Sequence, residues 1–565
     1  MSLKKSNSIS LQYNNSMQSL EANKNHMESS EVFRSVYSNY SIENNLISIN
    51  RAEKWNRKNA GGIPVDYDSS LNTAFIDSSD AHTLLIGATG SKKSRLVVMP
   101  TVKILANVGE SMIISDPKGE IYQRTGNDLD KNGYELKIIN LREPQRGDCW
   151  NLLLIPYLKY LAGDIDKSCE LLNDTAITLM PLSSNDPYWD YSSRDLFIGL
   201  ALLLFKKCKE SRAPSNAVNM RNLLDIRTNM FYVSITERIK QTSFWIEAEE
   251  DSLIKSKLLG IVSCPKDTMS CILSVFDQYL SCFSLNPQMI EMMSNSNIDL
   301  SSFATKKTAI FVIMPDEKTT YHKIVTVFIK QVYEYLIDMS YSEFKNNHFP
   351  IRINFILDEF SSLPCIGDFP QMISAARSRN IRFLIVVQSK NQLVQRYKEE
   401  ALTIMSNCTN WMFLFSRELD LLKEISELAG EKNHYHEQLI PMTKLQHLDK
   451  NKGECLIFAN RLYPYITHLP DIDIFDMGNF KILPLKKRNN YSKNFPTVNE
   501  LFPEKNFKNN SQIYIQDKND GHNMFSNENI NLDMNELKRR IDARIAELEA
   551  EETKSDKGGV KFDEQ

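Results

Sequence analysis

A glycine-rich turn at residues 87–94 follows an apolar stretch and precedes a stretch that suits a helix. It matches the phosphate-binding pattern G-x-x-x-x-G-K-[ST], with Gly87 at its start, Lys93 as the phosphate-binding lysine and Ser94 as the magnesium-binding hydroxyl. Backbone N–H groups of such a turn, with the helix N-terminus behind it, form an anion site. The residues that we predict to bind a nucleotide are Gly87, Ala88, Thr89, Gly90, Ser91, Lys92, Lys93, Ser94 and Arg95.

One position of this loop departs from the pattern. Lys92 stands where the second glycine is expected, and glycine there lets the backbone approach phosphate closely. We therefore expect that nucleotide binding survives and that turnover is slow. Taken without the rest of the chain, the same residues would also suit a surface turn between a strand and a helix.

A second apolar run, at residues 353–357, ends in two adjacent acids. Such a run is typical of a strand that is buried on both faces of a parallel sheet. A nucleoside triphosphatase needs acids at a strand end to hold magnesium and to polarise the attacking water. We assign Asp358 to the metal and Glu359 to the general base. Alone, the strand could simply end in two solvated acids, but the upstream loop favours the triphosphatase.

The composition limits the classes of protein that are possible. The chain has 565 residues, enough for two or more domains, and a net charge of -4, so any nucleic-acid contact must come from local patches. Its nine cysteines include no C-x-x-C pair, which predicts neither a disulfide framework nor a zinc site. The longest apolar run, residues 196–205, is about half the length of a membrane span. We expect a buried helix there and a soluble protein.

Strand and helix patterns alternate around the loop and again after residue 300, which predicts an α/β fold with a parallel sheet. Helical periodicity dominates between these parts and indicates an all-α domain inserted between two strands. Polar sequence at both ends predicts tails, the first of them disordered or weakly helical. The predicted domains are an N-terminal tail at 1–54, a nucleotide-binding domain at 55–154 and 301–485, the inserted all-α domain at 155–300 and a C-terminal tail at 486–565.

The C-terminal tail carries one helical signal, near residues 533–552. Asp533 and Glu536 match a capping box, and an apolar stripe follows at helical spacing. The pattern suits a solvated tail helix as well as a helix that docks on a partner or on the body of the protein.

With these residues in view, the sequence resembles the TraG/TraD-type coupling proteins of conjugative type IV secretion systems. These belong to the FtsK/HerA branch of RecA-like motor ATPases, and the resemblance covers roughly residues 55–480. The segments that carry it are residues 82–91, 115–120, 265–283, 357–360, 377–381, 387–389 and 468–473.

The resemblance implies a RecA-like P-loop ATPase domain that uses ATP and Mg²⁺ and assembles as a homo-hexameric ring around a channel. The family delivers a relaxase bound to single-stranded DNA to the proteins of a membrane secretion channel. Many members are anchored by N-terminal transmembrane helices, which this sequence lacks. We therefore expect a cytoplasmic protein, peripheral at the inner face of the cell membrane, with a separate membrane anchor protein.

The resemblance also implies roles for single residues. Gln388 would sense the γ-phosphate, although it could instead be the capped end of a strand. Arg377 would act as an arginine finger from the neighbouring subunit, with Arg379 as the fallback; a solvated helix face or a DNA-phosphate contact is the alternative. Asp116 and Lys118 end a predicted strand, where open α/β sheets bind ligands, and could touch the nucleotide or the neighbouring subunit.

Three functions compete at this point. The first is an ATP-driven motor for DNA transfer, the second a non-hydrolysing docking receptor with a degraded P-loop, and the third a general RecA-like DNA translocase outside secretion. The intact Asp358, Glu359 and Gln388 favour the motor over the receptor. The inserted helical domain and the turn at residues 115–120 favour it over the general translocase.

Overall fold

The structure, a computed structural model, describes residues 34–35, 37–42, 46–48, 61–182, 186–232, 235–284, 286–431, 437–459, 462–476, 480–488 and 495–503. The helix that the sequence predicts at residues 533–552 lies outside these residues, as does most of the predicted N-terminal tail.

Thirteen strands lie within the described residues, and they form two sheets. The strands are β1 (Ser38–Ser41), β2 (Leu46–Ser48), β3 (Ile63–Asp68), β4 (Thr73–Asp77), β5 (Thr83–Gly87), β6 (Ser111–Asp116), β7 (Glu135–Asn140), β8 (Thr308–Ile313), β9 (Ile353–Leu357), β10 (Ile381–Val387), β11 (Asn410–Phe415), β12 (Glu454–Phe458) and β13 (Tyr465–His468).

Nine of these strands form the central sheet, in the order β13-β12-β11-β5-β10-β9-β6-β8-β7. In this order, all neighbouring strands between β11 and β7 pair in parallel. β12 pairs antiparallel with β11, and β13 pairs antiparallel with β12, which extends the sheet on one side. In β5, β8, β9 and β10 every residue is buried, because these strands are apolar on both faces and the sheet is covered on both sides. The predicted α/β class with a parallel sheet is confirmed.

The helices pack around this sheet and form a helical region that shares one hydrophobic core with it. They are α1 (Met99–Val108), α2 (Glu120–Lys131), α3 (Leu154–Leu161), α4 (Ile165–Leu179), α5 (Pro187–Glu210), α6 (Met220–Met230), α7 (Thr236–Ile239), α8 (Ser243–Glu249), α9 (Ser252–Val262), α10 (Lys266–Ser284), α11 (Pro287–Met292), α12 (His322–Glu343), α13 (Phe369–Ala376), α14 (Lys390–Tyr397), α15 (Glu400–Asn407), α16 (Leu419–Leu428), α17 (Met442–Gln446), α18 (Ile472–Asp476) and α19 (Val498–Leu501). A π-helical turn, Ser94–Val98, runs directly into α1, and 3-10 turns occur at Ser215–Ala217, Thr319–Tyr321, Lys345–Asn347, Phe360–Ser362 and Arg377–Arg379.

The helical region consists of α3 to α11, which lie between β7 and β8 in the chain. Its longest helix, α5, contains the apolar run of residues 196–205, and every residue of that run is buried. Within the described residues no single helix is long and apolar enough to cross a membrane; only α9 and α10 taken together, bent by 114°, have the required length and composition.

The prediction of a disordered or weakly helical tail at residues 1–54 is wrong where the structure describes that segment. β1 and β2 belong to a four-stranded antiparallel sheet with the order β2-β1-β4-β3. Tyr40 and Ile42 are buried there and pack in one cluster with Ile76 of β4 and Ile104 of α1. The sequence did not reveal β1 because this strand has one apolar side chain among polar neighbours, and β4, the partner that joins it to the rest of the sheet, is distant in the chain.

Part of the predicted polar C-terminal tail, residues 495–503, is ordered on the body of the protein. Thr497 and Glu500 form a capping box at the start of α19, and the ring of Phe502 lies 4.8 Å from that of Phe244 in α8. Asn222 Nδ2 donates a hydrogen bond of 2.9 Å to the carbonyl oxygen of Pro496. This segment is therefore packed against the helical region.

Candidate nucleotide-binding site

The phosphate-binding loop lies between β5, inside the central sheet, and the helix that begins at Ser94. A Cβ atom at Gly87 would lie 2.5 Å from Ser91 Oγ and 3.1 Å from Lys93 Cγ, so a larger residue there would displace side chains of the loop. Lys93 Nζ donates hydrogen bonds to the carbonyl oxygens of Gly87 at 2.6 Å and of Ala88 at 3.4 Å. Burial lowers the pKa of Lys93, and the carboxylates of the acid strand oppose that shift. An ammonium held this way can exchange its carbonyl partners for phosphate oxygens.

Lys92 has a backbone conformation that favours glycine, with a φ of +64°. The left-handed region costs an L residue about 1–2 kcal/mol, which is a physical reason for the glycine of the pattern. Lys92 Nζ lies 3.8 Å from Asp471 Oδ2, and Arg95 donates hydrogen bonds to both Asp471 and Asp473. Both acids lie in the segment 468–473 that carries the family resemblance, but nothing in their spacing predicts a contact with a loop so distant in the chain.

The acids at the end of β9 lie beside the loop. Ser94 Oγ donates a hydrogen bond of 3.1 Å to Asp358 Oδ2, and the backbone N–H of Glu359 donates one of 3.0 Å to Asp358 Oδ1. Burial raises the pKa of Asp358 to about 6, helped by the charge of Glu359 and opposed by Lys93 and the Ser94 hydrogen bond. Glu359 has a φ of +52°, a strained value for a residue of this size. The two residues predicted to hold magnesium, Ser94 and Asp358, are thus already in contact.

Gln388 joins the acid strand to the loop. It follows β10, which lies between β5 and β9, and its Nε2 donates a hydrogen bond of 3.0 Å to Glu359 Oε1. Its Oε1 accepts a hydrogen bond of 3.0 Å from Thr89 Oγ1. The amide therefore holds the carboxylate that was predicted to be the general base, and the loop holds the amide. This bridge joins Thr89, Gln388 and Glu359, which come from three distant segments of the chain. It could not be predicted from any one of those segments.

Asp116 and Lys118 also reach this site. Asp116 ends β6, and the preceding Ser115 pairs with Leu357 of β9 and donates a hydrogen bond of 2.9 Å to the carbonyl oxygen of Asp358. Asp116 and Lys118 both line the same cavity as the loop, where they could touch a nucleotide.

The cavity has a volume of about 250 Å³ and lies at the carboxyl ends of β5, β6, β9 and β10. It brings together six of the predicted site residues that carry functional side chains: Thr89, Lys93, Ser94, Asp358, Glu359 and Gln388. Gly90, Lys92 and Arg95 line it as well, whereas Gly87, Ala88 and Ser91 form the turn behind it. Within the part of the chain that the structure describes, no group of three or more His, Cys, Asp or Glu side chains could hold a metal ion by itself.

A larger cavity, of about 380 Å³, lies toward the C-terminal end of α1 and between α2 and α18. Four of its charged side chains pair with one another, since Lys103 contacts Asp128 and Asp476, and Arg124 also contacts Asp476. Because no predicted loop or acid-strand residue lines this cavity, the smaller cavity is the better nucleotide site.

Arg377 does not join the cavity of its own chain. It precedes β10 and forms an ion pair of 3.3 Å with Asp80, which precedes β5, and both side chains are about half exposed. β5 and β10 run in parallel, so Arg377 lies at the amino ends of these strands and the cavity at their carboxyl ends. The seven residues of β10 separate the two edges by roughly 20 Å. Arg379, the fallback, instead packs against Tyr341 and also stays away from the cavity.

Comparison with known proteins identifies the family. The family model described as type IV secretory system conjugative DNA transfer matches residues 30–453. A conjugal transfer protein TraG from Escherichia coli is 22% identical over 376 residues, which cover 63% of this chain and 56% of the relative. The chain thus spans little more than half the length of that relative.

One solved structure shows the same fold. The unbound monoclinic form of the bacterial conjugative coupling protein TrwBdeltaN70 superposes with a TM-score of 0.52 at 16% identity, over 73% of this chain and 90% of that one. The plasmid coupling protein TrwB in complex with the ATP analogue ADPNP has a TM-score of 0.47 at 15% identity, over 72% of this chain and 87% of that one. Because the family model matches well over half of the sequence, this chain belongs to the type IV secretory system conjugative DNA transfer family.

Proposed function

We propose that this protein is the ATP-dependent coupling protein of a type IV secretion system, which recruits relaxase–single-stranded DNA to the channel and drives its transfer. Membership of the family supports the role in conjugation. The observation that supports ATP hydrolysis is one cavity in which Lys93, Ser94, Asp358, Glu359 and Gln388 converge. A large share of the relatives' length has no counterpart in this chain, so the partners named here are part of the proposal.

The residues present fit a magnesium–nucleotide complex. Hydroxyl and carboxylate oxygens are the ligands that Mg²⁺ takes from proteins, and Ser94 and Asp358 offer them 3.1 Å apart. When bound, Mg²⁺ neutralises charge on the phosphates. Lys93 would contact the β- and γ-phosphates. Few protein ligands suffice, because the phosphates and waters complete the coordination of this ion.

The proposed chemistry is attack of water on the γ-phosphorus. Glu359 takes a proton from the water, whose oxygen forms the new bond to phosphorus, while the bond from phosphorus to the β–γ bridging oxygen breaks and its electron pair leaves with ADP. Gln388 orients Glu359 through the 3.0 Å hydrogen bond and lies where it can also contact the γ-phosphate.

One observation favours the second candidate, a docking receptor that binds ATP without hydrolysing it. The left-handed backbone at Lys92 departs from what an L residue prefers, in the loop that must close on phosphate. The intact hydrogen bond between Gln388 and Glu359 favours hydrolysis, because a receptor without turnover does not need an oriented base.

The proposed partners follow from the same role. The protein would work at the inner face of the cell membrane as a homo-hexamer, with the secretion channel proteins and a separate membrane anchor protein. A ring in which each nucleotide lies between two subunits gives Arg377 a function, since that side chain is exposed at the edge of the sheet opposite its own cavity.

Replacing Glu359 by glutamine should abolish most turnover and preserve ATP binding, because the amide cannot take a proton from water. A general base contributes about 10²- to 10⁴-fold to a rate, and we expect a loss in that range. Steady-state ATPase assays and equilibrium binding of ATP measure the two effects. The exposed Glu427→Gln is the matched control and should behave as the parent. Parental turnover in Glu359→Gln would show that Glu359 is not the base.

Replacing Lys92 by glycine should raise the ATPase rate. Glycine adopts a φ of +64° without the penalty of about 1–2 kcal/mol, which corresponds to an increase of at most about 30-fold if the whole penalty opposes closure of the loop. Lys398→Gly is the control, because Lys398 also has a positive φ, of +52°, and is exposed after α14. A lower rate in Lys92→Gly would mean that Lys92 has a catalytic role of its own.

Mixing two inactive variants tests whether Arg377 acts in the neighbouring subunit. Arginine fingers supplied in trans contribute about 10³- to 10⁵-fold, so Arg377→Ala and Lys93→Ala should each be nearly inactive alone. An equal mixture should recover activity, because about a quarter of the interfaces in a closed ring pair an intact loop with an intact finger.

The exposed Arg396→Ala is the control for loss of an arginine and should keep its activity in the same assay. Absence of recovery would assign Arg377 to its own subunit. Normal basal activity of Arg377→Ala, with only the stimulation by DNA lost, would assign it to DNA contact.

A further inference from the structure

Asp116 is a fully buried acid that the proposed chemistry does not use. Its Oδ2 accepts a hydrogen bond of 2.8 Å from the backbone N–H of Tyr122, in the first turn of α2. This contact satisfies one of the N–H groups that a helix start leaves unpaired. The other oxygen, Oδ1, has no hydrogen-bond partner among the described residues. A buried carboxylate oxygen without a partner is unfavourable, so its presence calls for a ligand.

The position of this oxygen indicates what the ligand is. Ser115 and Leu357 are paired in the parallel ladder of β6 and β9, so Asp116 and Asp358 follow at matching positions and their side chains lie on the same face. Both acids line the cavity that also contains Ser94. Burial raises the pKa of Asp116 to about 7; hydrogen bonds from the start of α2 oppose this rise, and the charge of Asp358 adds to it.

We propose that Oδ1 of Asp116 accepts a hydrogen bond from a water molecule of the magnesium ion that Ser94 and Asp358 would hold. This inference rests on the proposed function and makes Asp116 a positioning residue for the metal. Mg²⁺ gives up its waters reluctantly, so several remain when it is bound by one or two carboxylates and phosphates, and their protons need acceptors. The charge of the ion also favours the ionised form of the nearby acid, which is the form that accepts.

The cap that Asp116 provides for α2 is a purely structural alternative, and one substitution separates the two roles. In Asp116→Asn the amide oxygen can still accept the hydrogen bond from Tyr122, whereas an NH₂ group replaces Oδ1 and can only donate. If Asp116→Asn does not fold, Asp116→Ser is used, because its smaller hydroxyl can both donate and accept a hydrogen bond and leaves no atom at the position of Oδ1.

The experiment measures the affinity of the full-length protein for a fluorescent, non-hydrolysable ATP analogue, once in EDTA and once in saturating Mg²⁺. We expect Asp116→Asn to match the parent in melting temperature and in EDTA, and to lose about tenfold or more of the gain in affinity that Mg²⁺ gives the parent. Loss of an outer-sphere partner commonly weakens metal binding by about 10- to 100-fold. Asp251→Asn is the matched control, since Asp251 caps α9 far from the cavity, and it should keep the whole gain.

The outcomes distinguish failure of the role proposed for Asp116 from failure of the proposed function. If Asp116→Asn folds and keeps the parental gain from Mg²⁺, Asp116 only caps α2 and the inference is wrong, while the proposed function stands. If the parent itself does not bind the analogue, or binds it equally well without Mg²⁺, the proposed function fails and the inference fails with it.

Discussion

The parallel pairing of four neighbouring strands, β5, β10, β9 and β6, is the constraint on which the site depends. Parallel strands end at the same edge of a sheet, so the loop after β5, Gln388 after β10, the acids after β9 and Asp116 at the end of β6 all meet in one cavity. The helical region interrupts the sequence between β7 and β8 but not this edge. The same constraint excludes Arg377, which lies at the opposite edge, from the cavity of its own chain.

Charge is the second determinant of the site. Lys93 and Asp358 are buried and Glu359 is half-buried at one cavity. Taking such charges out of water costs free energy unless they are paired or hydrogen-bonded. Ser94, Gln388 and the loop carbonyls supply those partners in the described residues. At the cavity mouth, Asp471 pairs with both Lys92 and Arg95. A nucleotide adds negative charge at this point and would compete with Asp471 for the two cations.

The sequence predicted which residue types form the site better than it predicted how those residues are arranged. The loop at residues 87–94 and the Asp358–Glu359 pair were predictable because each is a local pattern, and so was the alternation that defines the sheet. The left-handed φ of Lys92, the Thr89–Gln388–Glu359 bridge and the free oxygen of Asp116 were not, because each depends on segments that only the tertiary fold brings together. The ordered parts of the two tails were not predicted for a related reason. Short polar-rich segments such as β1 and α19 gain their stability from apolar partners elsewhere in the chain.

The proposed function requires that this cavity hydrolyses ATP to drive DNA transfer. The most direct test is the steady-state rate of ATP hydrolysis by the full-length protein with Mg²⁺, measured with and without single-stranded DNA. We expect a measurable basal rate of ATP hydrolysis that rises when single-stranded DNA is added. A protein that binds ATP and single-stranded DNA but hydrolyses no ATP in either condition would contradict the account, and would identify the chain as a docking receptor.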